Sequence, residues 1–167
     1  MSVYTKTGDK GTTSDLSGKR ISKNDPRIHL VGALDELSAH LGLVKAMLAD
    51  DGDKKFIDTV QGKLMKLMAH SSDAANEKYF FGEEEVAEVE REIDKLQEGL
   101  PKQMAFVLPG RNETEAQIHI ARTVARRAER QYCAVDEEMQ ATTPLNPLAG
   151  VYMNRLSDYL FTLSRKN

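Results

Sequence analysis

The sequence has no tryptophan, one cysteine and only 6% aromatic residues. Nor does it contain an apolar run that approaches the roughly 20 residues a bilayer requires. Each shortage excludes something. A lone Cys133 cannot form an internal disulfide, so a disulfide-stapled secreted scaffold is ruled out and a reducing, cytoplasmic setting is expected. Without a long apolar stretch, no membrane-spanning helix is expected. The first residues, MSVYT, carry neither the apolar core of a signal peptide nor a basic amphipathic transit segment. An excess of positive charge is missing too. At a net charge of -3 there is no global pull toward nucleic acid or an anionic membrane. What is present is leucine, alanine and methionine in quantity, within 40% hydrophobic and 29% charged residues, a mix that leans helical. The 167 residues suit one domain, 1–167, with a sizeable core.

The chain is organised around Asn112 to Val135, a stretch without glycine or proline. Ile118, Ala121, Ala125, Ala128, Tyr132 and Val135 fall at steps of three and four, which predicts one buried helical face. A second stripe, rotated from the first, carries His119, Arg122, Arg126, Glu129 and Arg130. Residues three or four apart stand above one another, so guanidiniums can line one groove and offer rigid donor forks to phosphate oxygens. The same stripe also fits a solvated basic face of a bundle helix. Because the net charge is negative, the basic stripe is local, which suits a small anion better than a long polyanion. Asn112 with Glu115 three residues on resembles a capping box.

Tyr4 to Asn24, YTKTGDKGTTSDLSGKRISKN, has no helical period. Its glycines, hydroxyls and lysines describe a loop that can turn tightly and present N–H groups to an anion. It is not a Walker A loop, because Gly18-Lys19 is followed by Arg20 rather than serine or threonine. A disordered N-terminal arm is the plainer alternative.

The remaining pattern is helical. Asp25-Pro26 predicts a helix start. Leu30, Leu34, Leu37, Leu41, Val44 and Leu48 then form a bundle seam, with Asp35 and Glu36 beside it. Asp50-Asp51-Gly52-Asp53 reads as a break. A second helix is expected over Lys54 to Asn76 with Phe56, Val60, Leu64, Leu67 and Ser71 inward, and a third over Glu83 to Glu98. Gly99 to Gly110 is a connection whose apolar run, Met104 to Leu108, suits either a ligand wall or a plug in the bundle end made by Phe106. A last helix, Leu148 to Arg165, is expected to turn Val151, Tyr152, Leu156, Tyr159, Leu160 and Leu163 inward, with Asn154 and Asp158 sharing a face.

Three blocks occur in one order: YTKTGDKGTTS…GKRISKND with GALDELSAHLG, then FVLPG…IHIARTVARRAER, then NRLSDYLF. Over nearly its whole length the chain thereby resembles the PduO-type ATP:cob(I)alamin adenosyltransferases, the corrinoid adenosyltransferase family that includes the human mitochondrial enzyme. The resemblance implies an all-α, five-helix up-and-down bundle, ferritin-like in shape, assembled as a homotrimer with active sites between subunits. Residues 1–24 would be the ATP-binding loop and 25–167 the helical bundle. The implied activity is transfer of the 5′-deoxyadenosyl group of ATP to the cobalt of cob(I)alamin, giving adenosylcobalamin and triphosphate. Mg²⁺ would be carried by ATP rather than by protein side chains. A cob(II)alamin reductase and a downstream adenosylcobalamin-dependent enzyme are the implied partners. A non-catalytic escort of adenosylcobalamin is the alternative.

The resemblance also implies roles residue by residue. Thr5, Lys6, Thr7, Gly8, Thr13, Ser14 and Lys23 would lie at the nucleotide. Arg126, Arg127, Glu129 and Arg130 would hold the triphosphate, with Arg122 essential nearby and Asn154 a further ATP contact. Asp35 would bridge to the arginine equivalent to Arg122 across a subunit boundary. Phe106 would pack under the corrin and displace its lower axial ligand, with Asp158 on the cobalamin side. The chain departs from the family pattern at Arg111, where many members have a second glycine. It also stops at Asn167, where many relatives continue with a tail that helps cover the corrinoid. A di-iron protein would instead want Glu-x-x-His pairs, and none of His29, His40, His70 or His119 has a glutamate three residues before it.

Overall fold

A computed structural model describes residues 4–102 and 106–167. Met104 and Ala105 of the predicted apolar run lie outside the described residues. Five helices dominate: α1 (Pro26–Met47), α2 (Asp51–Ser72), α3 (Glu83–Glu98), α4 (Glu113–Met139) and α5 (Pro147–Lys166). A small antiparallel hairpin of β1 (Thr12–Ser14) and β2 (Arg20–Ser22) precedes them. That hairpin corrects the reading of 1–24 as loop and of the chain as purely α. Strands of three residues are too short to show alternation in sequence.

The helix starts follow from local chemistry. Asp25 accepts from the Arg27 N–H at 2.9 Å and Pro26 opens α1, so a donor with no intrahelical partner is satisfied and another is missing by design. Asp50 likewise accepts from the Asp53 N–H at 2.9 Å. The Asp-rich stretch expected to be a break therefore caps and opens α2, three residues earlier than predicted. Asn146 accepts from Ala149 at 3.0 Å ahead of Pro147, starting α5.

The core is the set of faces these helices turn to one another. Leu30, Leu34, Leu37, Leu41 and Val44 of α1 are wholly buried, as are Val60, Leu64 and Leu67 of α2 and Ile118, Ala121 and Ala128 of α4. Each such leucine contributes roughly 1.5–3 kcal/mol of transfer free energy. α4 packs between α1 and α5; α1 also packs on α2, and α5 on α3. Side-chain pairs fix the directions. Glu36 meets Arg127 and His40 meets Gln117, so α1 and α4 run antiparallel. Tyr132 donates to the Asn146 carbonyl while Arg111 donates to that of Ser164, so α4 and α5 run antiparallel as well. Val151 departs from its expected inward position. It is exposed, whereas its neighbours Tyr152 and Met153 take the core side.

Candidate active site

The amino-terminal segment is shaped by backbone conformation and one arginine. Gly11 and Gly18 have φ of 77° and 85°, the left-handed region that glycine enters without Cβ strain. Lys6 enters it too, at φ 60°, which is uncommon for a residue with a side chain. From β2, Arg20 donates to the Thr7 carbonyl at 2.7 Å, to Ser14 Oγ at 3.3 Å and to Thr12 Oγ1, clamping the segment's two arms together. Asp15 holds the hairpin turn by accepting from Ser17 Oγ at 2.7 Å and from the Lys19 N–H at 2.8 Å. The Ser17 hydroxyl is the main reason that this carboxyl sits below its ordinary pKa, ahead of the opposing effect of burial. A Cβ on Gly8 would lie 3.1 Å from Lys23 Nζ, so the missing side chain lets the ammonium rest against the backbone. Thr5 and Thr7 share a hydroxyl hydrogen bond of 2.8 Å. Lys6 Nζ stands 5.8 Å from the centre of the Tyr4 ring. Thr13 sits opposite Ile21 in the hairpin. The Leu16 N–H donates to Ser72 Oγ at 3.3 Å and ties the hairpin to the end of α2.

On α4 the predicted arginine stripe divides into committed and free members. Arg127 pairs with Glu36 of α1. Arg122 donates through Nε to His119 Nδ1 at 3.2 Å. Arg126 and Arg130 are exposed and make no hydrogen bond or ion pair among the described residues. Glu129 Oε1 accepts from Asn154 Nδ2 at 2.9 Å, and Arg155 reaches both Asn154 Oδ1 at 3.1 Å and Glu90 Oε1 at 2.8 Å. A polar chain thus runs from α4 through α5 to α3. Asp158, one turn beyond Asn154, is exposed and lines an open groove of about 450 Å³ with Glu90, Asp94, Arg155 and Phe161. Asp35 is exposed and has no ion pair within its own chain among the described residues.

His119, which shares the stripe with Arg122, is buried and packs in the interior. Its Nδ1 accepts from Arg122, which puts the ring proton on Nε2, facing Glu115 Oε1 at 3.2 Å. Burial, aided by the nearby Arg122 charge, pushes the imidazole below its ordinary pKa against the pull of Glu115. Glu115 itself is fully buried and does not complete the capping box that the sequence suggested. Asn112 Oδ1 does accept from the Glu115 N–H at 2.8 Å. The Glu115 carboxylate turns instead to the preceding loop, where Oε2 accepts from the Gly110 N–H at 2.7 Å and the Arg111 N–H at 3.1 Å.

That loop holds Phe106 and Leu108, which are 103% and 86% exposed. Phe106 therefore does not plug the bundle end. Arg111, at the position of the expected second glycine, donates to the Ser164 carbonyl at 2.8 Å and lies 3.5 Å from Glu115 Oε1. The Arg20 clamp and the turn of the Glu115 carboxylate toward the loop are the features that sequence reasoning did not place. Among the described residues, no group of three or more His, Cys, Asp or Glu side chains could hold a metal ion, and no helix is long and apolar enough to cross a membrane.

The arrangement joins an anion-facing loop, two free guanidiniums and an uncovered aromatic ring in one helical protein. Comparison with known proteins places the chain in a family. A family model for cobalamin adenosyltransferase matches residues 3–167. The corrinoid adenosyltransferase PduO of Citrobacter freundii is 37% identical over 169 residues, covering 99% of this chain and 49% of its own length. A second corrinoid adenosyltransferase from Citrobacter freundii is 39% identical, covering 98% of this chain and 93% of that protein. The chain thus spans about half the length of some of the curated relatives it matches. Among solved structures, a variant PduO-type ATP:corrinoid adenosyltransferase from Lactobacillus reuteri, complexed with cobalamin and ATP, aligns with a TM-score of 0.87 at 30% identity, covering 98% of this chain and 89% of that one. On the match along nearly its entire length, the chain belongs to the cobalamin adenosyltransferase family.

Proposed function

We propose that this chain transfers the 5′-deoxyadenosyl group of ATP to the cobalt of cob(I)alamin. In that reaction a cobalt–carbon bond forms at C5′, the carbon–oxygen bond to the triphosphate breaks, and triphosphate leaves. The attacking electron pair comes from reduced cobalt, so the protein need not supply a nucleophile. Its tasks are to align the two substrates and to stabilise negative charge growing on the leaving group.

The observation that carries the reading is the uncommitted pair Arg126 and Arg130 on one face of α4. Like charges four residues apart destabilise a bare helix by roughly 0.2–0.5 kcal/mol. A polyanion laid along them removes that repulsion and gains charge-assisted hydrogen bonds. We assign Arg126, Arg127, Arg130 and Asn154 to the triphosphate side, with Glu129 orienting Asn154 and Arg122 set beside them. Thr5, Lys6, Thr7, Gly8, Thr13, Ser14 and Lys23 would close over the nucleotide from the clamped amino-terminal segment. Mg²⁺ would arrive on the nucleotide, held by its phosphate oxygens. Phe106 and Asp158 face the corrinoid, and an uncovered ring of this kind suits an apolar ligand.

The hairpin and the free guanidiniums stand on different parts of one chain, so we place the site between subunits of an up-and-down helical homotrimer. Asp35, unpaired within its chain, would then meet Arg122 of a neighbour. A cob(II)alamin reductase would supply the electron, and an adenosylcobalamin-dependent enzyme would receive the product.

The test is an anaerobic assay with a reductant, ATP and cob(II)alamin, followed by the corrin absorbance. The expected result is an ATP-dependent conversion to adenosylcobalamin, abolished by Arg126→Ala with helical circular dichroism unchanged. Binding of adenosylcobalamin without any ATP-dependent spectral change would establish an escort and overturn the catalytic reading.

A further inference from the structure

Phe106 receives no support from its own side-chain surroundings, since its ring is wholly exposed. Its position must be set by the backbone that carries it. That backbone is tied down at Gly110 and Arg111, and both ties end on one oxygen, Glu115 Oε2, at 2.7 and 3.1 Å. Gly110 is at φ 114°, a conformation that a side chain rarely adopts, so the turn into α4 depends on an external anchor. The anchor is a charged acceptor with no solvent exposure, where a hydrogen bond to an ionised group is worth about twice a neutral one. Its second oxygen makes no hydrogen bond among the described residues. Oε1 stands 3.2 Å from His119 Nε2 and 3.5 Å from Arg111 Nε, and His119 in turn accepts from Arg122.

We propose that Glu115 is a positioning residue, a buried latch that fixes the Phe106-bearing loop through the Gly110 and Arg111 N–H groups. The inference rests on the reading of Phe106 as the corrinoid-facing residue. Glu115 is fully buried, so it acts on the loop and not on a substrate. Glu115→Gln keeps a carbonyl oxygen able to accept from Gly110 and Arg111, but turns an NH₂ toward the His119 Nε2–H. Glu115→Ala removes both.

Hydrogen–deuterium exchange over residues 106–111 tests the latch without any substrate. Loss of two charge-assisted hydrogen bonds predicts exchange roughly tenfold or more faster in Glu115→Ala, with α1 and α2 unchanged, and near wild-type exchange in Glu115→Gln. The second measurement is the electronic spectrum of cob(II)alamin bound in the presence of ATP, scored for the four-coordinate species that loss of the lower ligand produces. Glu115→Ala is expected to lose that species as Phe106→Ala does, with ATP affinity changed less than about twofold, and Glu115→Gln is expected to recover it. Unchanged exchange in Glu115→Ala overturns the latch. Faster exchange with an undiminished four-coordinate signal overturns its role toward Phe106. If the wild-type protein gives no four-coordinate signal, the corrinoid reading itself fails, and the exchange result still decides whether the latch exists. Should Glu115→Ala not fold, Glu115→Asp, whose shorter side chain withdraws the carboxylate from the loop, takes its place in both measurements.

Discussion

Asn154 of α5 donates through Nδ2 to Glu129 Oε1 of α4 at 2.9 Å, and its own Oδ1 accepts from Arg155 at 3.1 Å. The amide is thereby fixed in one orientation, with its carbonyl directed to a cation and its NH₂ to an anion. We propose that Glu129 serves the nucleotide site by orienting Asn154. Glu129→Ala is expected to raise the KM for ATP roughly five- to tenfold, the scale of one charge-assisted hydrogen bond. The pair lies at the surface, so the melting temperature should move by less than about 4 °C. Steady-state kinetics with ATP varied, set beside a thermal melt, separate the two effects.

Glu85 supplies a pH-dependent contribution to stability. It accepts from Lys66 Nζ at 2.5 Å and from the Gly82 N–H at 2.9 Å, joining α2 to the start of α3. Burial alone would raise its pKa, but Lys66 and the Gly82 N–H outweigh it and bring the carboxyl from 4.5 to about 2. A depressed carboxylate stabilises the fold above its unfolded pKa, and that contribution is lost as pH falls through the folded value. At about 1.4 kcal/mol per pKa unit, the contribution is on the order of 3 kcal/mol at neutral pH. Denaturant titrations of the wild type and Glu85→Gln should differ by roughly this amount near neutrality. The gap should narrow from pH 4.5 downward and close near pH 2.

His70 also weakens the fold as pH falls, although it is buried neutral where Glu85 is charged. It is fully buried in α2, and its Nε2 accepts from the Asn146 N–H at 2.9 Å where α5 begins. Burial pushes the imidazole below 6.5, with Lys66 adding to the effect and Asp73 opposing it. Below pH 6.5 the unfolded chain takes up a proton that the folded chain refuses, so stability falls with pH until the folded pKa is passed. Glutamine offers a carbonyl to Asn146 without titrating. His70→Gln should flatten the decline in melting temperature expected of the wild type between about pH 7 and 5.

Much of this fold was legible because its signals are periodic and local. The α1 seam from Leu30 to Leu48 is buried as its spacing requires, and Asp25-Pro26 opens the helix as expected. The acidic run at 50–53 misled because aspartate serves both turns and caps. Asp50 took the cap, and Asp53, paired with Lys166 at 2.8 Å, could then be buried inside the first turn. Val151 misled because one residue on a helix is a rotation of about 100°, enough to carry a side chain from core to surface. The arginine positions could be read from the stripe, but their division could not. Which guanidinium is free depends on Glu36 and His119, one on another helix and the other buried one turn earlier on α4. Glu115 looked like half of a capping box, and only the path of the incoming loop shows where its carboxylate goes.

The hairpin near the start of the chain is tied to α2 by the Leu16 N–H on Ser72 Oγ, and beside that tie it borders an open groove with Val31, Met65 and Met68. Its internal order comes from Arg20, Asp15 and two left-handed glycines, not from the leucine seam. Substitutions there can accumulate without any repacking of the bundle. If the hairpin closes over ATP as proposed, discrimination among nucleotides is free to diverge between descendants at a different tempo from the architecture that supports it, in the manner of loops borne on a rigid scaffold.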